Sequence, residues 1–298
     1  MAYRGLHVHT NGRGAQGIVS LQFAKRRTEP APGKDGPHMI DTHSHLLPGV
    51  DHGCPDMETC LEMARAAAES GVTTVFCTPH LPEWDDEVIG KARRVVVEAR
   101  QALAAAGVEL ELLLGFEVDG SVAASEEVER LREIAIEGTG GAILLEMPYN
   151  GWPMYFEPTI FRLAAAGMIP ILAHPERNDR VQKSSEPLAR CLRSGAVAQA
   201  TAGSLSGIFG RPSERTFRHL ISEGLISLVA SDAHEFWQEG WTMAPIFEVF
   251  EGWLTADEVA TLTETNPRRL MAGKMPRPMR PAAAAEPRRG RGWLHKRR

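Results

Sequence analysis

At 298 residues the chain can form one large α/β barrel or two ordinary domains, and a 43% hydrophobic content supports a sizeable core. The net charge of -5 conceals an asymmetry: residues 1–38 and 273–298 are basic, which leaves 18 Lys/Arg against 35 Asp/Glu between them, about -17. That acidic body argues against nucleic-acid binding by the folded part. No apolar run approaches the roughly 18 residues of a membrane-spanning helix, and no signal-like apolar segment opens the chain, so a cytoplasmic location is expected. Cys54, Cys60, Cys77 and Cys191 form no Cys-x-x-Cys pair and suggest no disulfide framework. A thiolate phosphatase needs Arg six positions after its Cys; Cys60, Ala66, Glu83 and Val197 stand there instead, which excludes that mechanism.

Residues 1–38 are rich in Gly, Pro and Arg without periodicity and are expected to be a disordered extension. The structured domain is expected from Met39. Ile40 to His45 reads as a strand that opens into the Pro/Gly turn at 46–55. Alternate strand residues point the same way, so His43 and His45 share a face. The pattern predicts a helix over 56–70 capped by Asp56, a buried strand Val72–Cys77 ending in Thr78-Pro79-His80, and a long helix over 86–106. A strand over 108–114 then leads to Gly115-Phe116-Glu117. Helices near 124–136, 156–166, 184–194 and 212–223 alternate with strands over 142–146, 168–173, 196–200 and 225–230. The last helices are expected near 243–253 and 256–271, the second interrupted by Asn266-Pro267. Residues 273–298 read as a second disordered basic tail. Seven or so β/α repeats imply parallel strands with crossover helices. The expected fold is a single α/β domain over 39–272, a distorted TIM-like barrel of (β/α)7 type. No Gly-x-Gly-x-x-Gly or Walker loop follows any strand.

Polar groups recur at the C-terminal strand ends: His43, His45, Asp51, His80, Glu117, His174, Asp232 and His234. Each alone has a structural reading, as a cap, a satisfied loop residue or a solvated acid. In a barrel those ends meet at one mouth. Imidazole and carboxylate ligands without thiolate suit Mn, Zn or Fe, and eight ligands exceed one ion, so two or three ions are expected.

These residues fall in an ordered motif series: His43-x-His45, Asp51-x-Gly53, Thr78-Pro79-His80, Gly115-x-Glu117, His174-Pro175-Glu176-Arg177, Gly203-Ser204-Leu205 and Ser231-Asp232-x-His234. The series resembles the PHP (polymerase and histidinol phosphatase) superfamily. Within it, Leu46-Leu-Pro-Gly-Val-Asp51 and His174-Pro-Glu-Arg177 are closer to the manganese-dependent protein-tyrosine phosphatases of bacterial capsule and exopolysaccharide gene clusters. The resemblance covers residues 39–271. It implies three Mn2+ ions: one held by His43, His45, Glu117 and Asp232, a second by Glu117 and His174, a third by Asp51, His80 and His234. It implies that Arg177 grips phosphate, that metal-activated hydroxide attacks phosphorus, and that the substrate is a tyrosine kinase controlling polysaccharide export. Two departures stand out, His52 where a second Asp is common and Thr201 where Asn is frequent. His52 or His80 is the candidate proton donor. Competing expectations are a small-molecule phosphatase such as histidinol phosphatase, a metal-dependent amidohydrolase, disfavoured because no mid-chain strand end offers a bridging Lys, and a metal-stabilised interaction module.

Overall fold

The computed structural model describes residues 38–234, 250 and 253–281. Its first strand, β1 (Met39–Ser44), is buried throughout and pairs in parallel with β2 (Val72–Cys77), with α1 (Met57–Glu69) between them. Asp56 caps α1 by accepting from Thr59 N at 2.8 Å. Pro79 lacks an N–H and cuts this strand; it resumes as β3 (His80–Leu81). After α2 (Asp86–Ala105) the next strand is cut in the same way by Gly115-Phe116, into β4 (Glu111–Leu114) and β5 (Glu117–Asp119). Gly115 N donates to Cys77 O at 2.9 Å and Glu117 N to Pro79 O at 3.0 Å, so the two broken strands stay in step.

The remaining strands are β6 (Ala142–Glu146), β7 (Ile169–Ala173), β8 (Val197–Thr201) and β9 (Leu228–Ala230). One parallel sheet runs β1-β2-β4 and the other β3-β5-β6-β7-β8-β9. The breaks join these into seven strand positions. The far edge returns to β1: Ser44 bridges Ala233, Asp232 N donates to His43 O at 2.9 Å, and His45 N donates to Ala233 O at 2.8 Å. One apolar layer takes alternate strand residues, including Ile40, Phe76, Leu144, Ile171, Val197 and Leu228. The opposite face packs on the helices through Val75, Leu145, Leu172 and Val229. This is the expected parallel α/β architecture, and it delivers every strand's C-terminal end to one side.

Several boundaries differ from expectation. The helix near 124–136 is two short ones, α3 (Gly120–Ser125) and α4 (Val128–Arg132). Asp119 accepts from Ser121 N at 2.7 Å and starts α3 early, while Glu126, at φ −84 and ψ 150, is extended and ends it. The strand over 108–114 is shorter because its ladder to β2 begins only at Thr74–Glu111. Helices α5 (Phe156–Ala165), α6 (Glu186–Arg193), α7 (Ala202–Leu205) and α8 (Gly210–Ser222) follow their strands. The expected helix near 243–253 lies almost wholly outside the described residues. The helix at 256–271 opens as α9 (Ala256–Ala260) on a Thr255/Glu258 capping box, passes through a π turn at Thr261–Thr265, and ends as α10 (Asn266–Met271). Pro267 has no N–H for an ordinary i→i−4 bond, which is why the register changes there.

The basic extension over 1–38 lies outside the described residues except for residue 38, as does the tail beyond 281. Residues 273–281, the start of the expected tail, are mostly exposed but are tied to the domain. Asn266 Nδ2 donates at 2.8 Å to both Ser227 O and Arg277 O, Asn266 Oδ1 accepts from Arg277 N at 2.9 Å, and Met279 is buried.

Candidate metal centre

His43 and His45 leave β1 on one face, with Nε2 atoms 3.1 Å apart. Glu117, the first residue of β5, sends Oε2 to within 3.3 Å of His43 Nε2, 3.4 Å of His45 Nε2 and 3.0 Å of His80 Nδ1. Asp232, just beyond β9, places Oδ1 3.2 Å from His43 Nε2 and 3.4 Å from His45 Nε2. All four of His43, His45, Glu117 and Asp232 are buried, and their donor atoms lie within 4.8 Å of one another. Two further groups share members with this one: His45, His80 and His234, and His80, Glu117 and Glu146. His174 Nε2 meets the other oxygen of Glu117 at 2.9 Å.

The donor chemistry fits divalent ions. Glu117 Oε2 is buried without a hydrogen-bond partner, a costly state for a carboxylate oxygen and one that a cation relieves. Two imidazole nitrogens turned toward each other beside two carboxylate oxygens make an N/O donor set of the transition-metal type. The electrostatics agree. Burial pushes Glu117 up, yet the neighbouring His43, His174 and His45 rings hold it well below the usual carboxylate range. Burial lowers His45, but Asp232, Asp51 and Glu117 raise it well above its ordinary value. Burial likewise lowers His80 while Glu117 and Glu146 lift it to about 9. Burial and the adjacent His45 push His234 down to about 4.

Local backbone serves this convergence. Among the described residues, His174 at φ 36 and Asp232 at φ 54 are the only non-glycine positions with positive φ. Both stand within two residues of a strand's end, where left-handed backbone turns the side chain back over the strand ends. Gly53 carries the loop over His45: a Cβ there would lie 2.3 Å from His45 Cβ and 2.7 Å from its carbonyl.

Asp51 departs from the grouping with His80 and His234. Its Oδ2 accepts from His45 Nδ1 at 2.7 Å and from His80 N at 2.9 Å, and its Oδ1 accepts from Gly53 N at 2.9 Å. It stands behind His45, where it fixes the ring's orientation. His52 lies over His80 with ring centroids 4.8 Å apart and planes at 8°. Arg177 Nη2 is 2.7 Å from Asp232 Oδ2, and its guanidinium lies 3.4 Å over the Phe209 ring. The turn bearing Arg177 is anchored on both sides. Glu176 Oε1 accepts from Thr201 N at 3.0 Å and Ser204 Oγ at 2.6 Å, which accounts for the Gly203-Ser204-Leu205 motif. Asn178 Nδ2 donates to Pro148 O at 2.6 Å and Gly151 O at 3.0 Å.

His52, His80, Glu117, His174, Arg177, Asp232 and His234 line one cavity of about 680 Å³. Glu146, Tyr149, Pro82 and Phe209 line it too and were absent from the expected set. Glu146 had a visible signal, since it ends strand β6 as the others end theirs. Tyr149 and Phe209 lie on connecting loops, where no periodicity marks them.

The family model for capsular polysaccharide synthesis, CpsB/CapC, matches residues 39–272. The chain belongs to this family. It is 34% identical over 198 residues to the tyrosine-protein phosphatase YwqE of Bacillus subtilis (strain 168), covering 66% of this chain and 77% of that one. Identity with the putative tyrosine-protein phosphatase CapC of Staphylococcus aureus is 30% over 212 residues, 70% of this chain and 82% of that one. A crystal structure from work on YwqE and Streptococcus pneumoniae CpsB, described as metal-dependent tyrosine phosphatases, superposes with a TM-score of 0.70 at 29% identity, over 82% of this chain and all of that one. The Escherichia coli phosphotriesterase homology protein shares the fold alone, with a TM-score of 0.51 at 13% identity. The CpsB/CapC domain thus spans the whole described β/α array and every residue of the candidate centre.

Proposed function

We propose that this chain is a metal-dependent protein-tyrosine phosphatase that releases phosphate from a phosphotyrosine side chain. The observation that carries the reading is the convergence of His43, His45, Glu117 and Asp232, the last two of which line one open cavity together with Arg177. His43, His45, Glu117 and Asp232 would hold one ion. Glu117 and His174 would hold a second, and His80 and His234 a third, with Asp51 steering His45 from behind. Bound ions would supply Lewis-acid charge at phosphorus and bring the pKa of water toward neutrality. The N/O donor set suits Mn2+, with Zn2+ or Fe as alternatives.

The residues of the chain supply the rest. Arg177 presents a planar fork to two phosphate oxygens and neutralises charge that builds in the transition state. A tyrosyl phenolate, with a pKa near 10, departs with little help. His52, stacked on His80 at the cavity wall, or His80 itself would protonate it. A tyrosine kinase of a capsule or exopolysaccharide assembly system, in the cytoplasm, is the substrate this reading favours. The test is turnover of a phosphotyrosyl peptide and of histidinol phosphate, with Mn2+ and with a chelator. Metal-dependent preference for the peptide is expected. Preference for histidinol phosphate would replace the reading with a small-molecule phosphatase, and no turnover of either would leave a metal-stabilised module.

A further inference from the structure

Arg177 is flanked in the cavity by two aromatic residues that no metal ligation requires. Tyr149, on the loop between β6 and α5, lies parallel to His174 with centroids 5.8 Å apart and planes at 5°. That contact fixes the ring, yet 48% of Tyr149 remains exposed at the cavity. Phe209, on the turn between α7 and α8, has Arg177 over its face. Its approach depends on Gly203, where a Cβ would come within 3.0 Å of Phe209 Cε2. Both loops are tied to the Arg177 turn, one through Asn178 to Pro148 and Gly151, the other through Glu176 to Ser204. The guanidinium and the two rings are therefore positioned as a unit.

We infer that Tyr149 and Phe209 form an aryl subsite that selects phosphate esters of phenols over those of aliphatic alcohols. The inference rests on the phosphatase reading above and names what sets its specificity. A phosphoryl group at Arg177 carries its ester substituent one bond further into the cavity, against these rings. A phenyl substituent gains offset or edge contacts with them; the methylene of a seryl ester offers almost no surface to either. One aromatic contact corresponds to about a two- to tenfold change in affinity.

The test separates this from turnover and from leaving-group chemistry. Phenylphosphonate and methylphosphonate, which share a headgroup and are not hydrolysed, are titrated calorimetrically into the Mn2+-loaded full chain. The wild type is expected to bind phenylphosphonate at least tenfold more tightly. Tyr149→Ala and Phe209→Leu are each expected to cut that ratio to about threefold or less, while Tyr149→Phe keeps it. An unchanged ratio in both Tyr149→Ala and Phe209→Leu would overturn the subsite. So would a Tyr149→Phe ratio as low as that of Tyr149→Ala, because the hydroxyl beside Arg177, not the ring face, would then be the working part. Circular dichroism melts of each variant exclude misfolding as the cause. If the ratios behave as expected but phosphotyrosyl peptide is not hydrolysed, the subsite stands and the phosphatase reading falls. If the peptide is hydrolysed with unchanged ratios, the reverse holds.

Discussion

Arg177 enters the cavity with its guanidinium already held between the Asp232 carboxylate at 2.7 Å and the Phe209 ring at 3.4 Å. Burial lowers its pKa and Asp232 raises it, with a net upward shift, so the charge is secure in a nearly closed setting. Such preorganisation spares the reorganisation a flexible side chain would need. Arg177→Ala should therefore lower kcat/KM on a phosphotyrosyl peptide by about 100-fold or more, with metal content kept. Turnover and metal analysis on one preparation check both halves. Asp51 is a different case. It touches His45 Nδ1, and so sets which nitrogen of that ring faces the centre. Asp51→Asn should weaken Mn2+ binding by about 10- to 100-fold, the usual effect of losing a carboxylate behind a histidine ligand. Direct titration measures it, and unaltered affinity would deny Asp51 that task.

At the scale of elements, the C-terminal strand ends do the chemical positioning while helix contacts hold the strands in place. Glu157 of α5 takes three bonds of 2.7–3.0 Å from Arg190 of α6. Those bonds hold the Glu157 carboxyl below its ordinary value. The linkage then contributes above the ordinary carboxyl pKa and is lost as pH falls through the lower, folded-state pKa. The pair is partly exposed and solvent-screened, so the effect is small. Glu157→Gln should lower the melting temperature by about 1–2 °C at pH 7 and by progressively less as pH falls below the ordinary carboxyl range. Asn266 carries more. Its side chain satisfies Ser227 O, Arg277 O and Arg277 N together at a buried position where α10 begins. Asn266→Ala strands those groups and should cost about 2–4 kcal/mol in denaturant unfolding, besides freeing residues 273–281 to proteolysis.

For the molecule as a whole, the centre concentrates Glu117, Asp232 and Glu146 within an already acidic body. Cations bound there stabilise the native state in proportion to their occupancy, about 2.7 kcal/mol at one hundred times the dissociation constant. Saturating Mn2+ should raise the melting temperature by about 5–10 °C over the chelated protein, and the chelator should abolish phosphotyrosine turnover. A melting temperature indifferent to metal would remove the centre proposed here. Binding must also displace protons from His45 and His80, both raised above their ordinary values, so Mn2+ affinity should fall as pH drops through about 9, the value to which His80 is raised.

The β/α alternation, the cap at Asp56, and the strand-end histidines and acids were legible in the chain because each rests on a periodicity or turn chemistry spanning a few residues. His43 and His45 share a face by strand geometry alone, whatever surrounds them. Asp51, Tyr149, Phe209 and residues 273–281 were not legible in that way. Asp51 turns to His45 because the loop folds back over Gly53. Tyr149 and Phe209 face Arg177 because Glu176 and Asn178 tie three separate loops together. Residues 273–281 are held by Asn266 from a neighbouring element. Local sequence determined which residues stand at the C-terminal strand ends; only the tertiary packing of the strands decided which of them touch, since that depends on partners up to 190 positions apart, as in the Ser231–Asp41 bond.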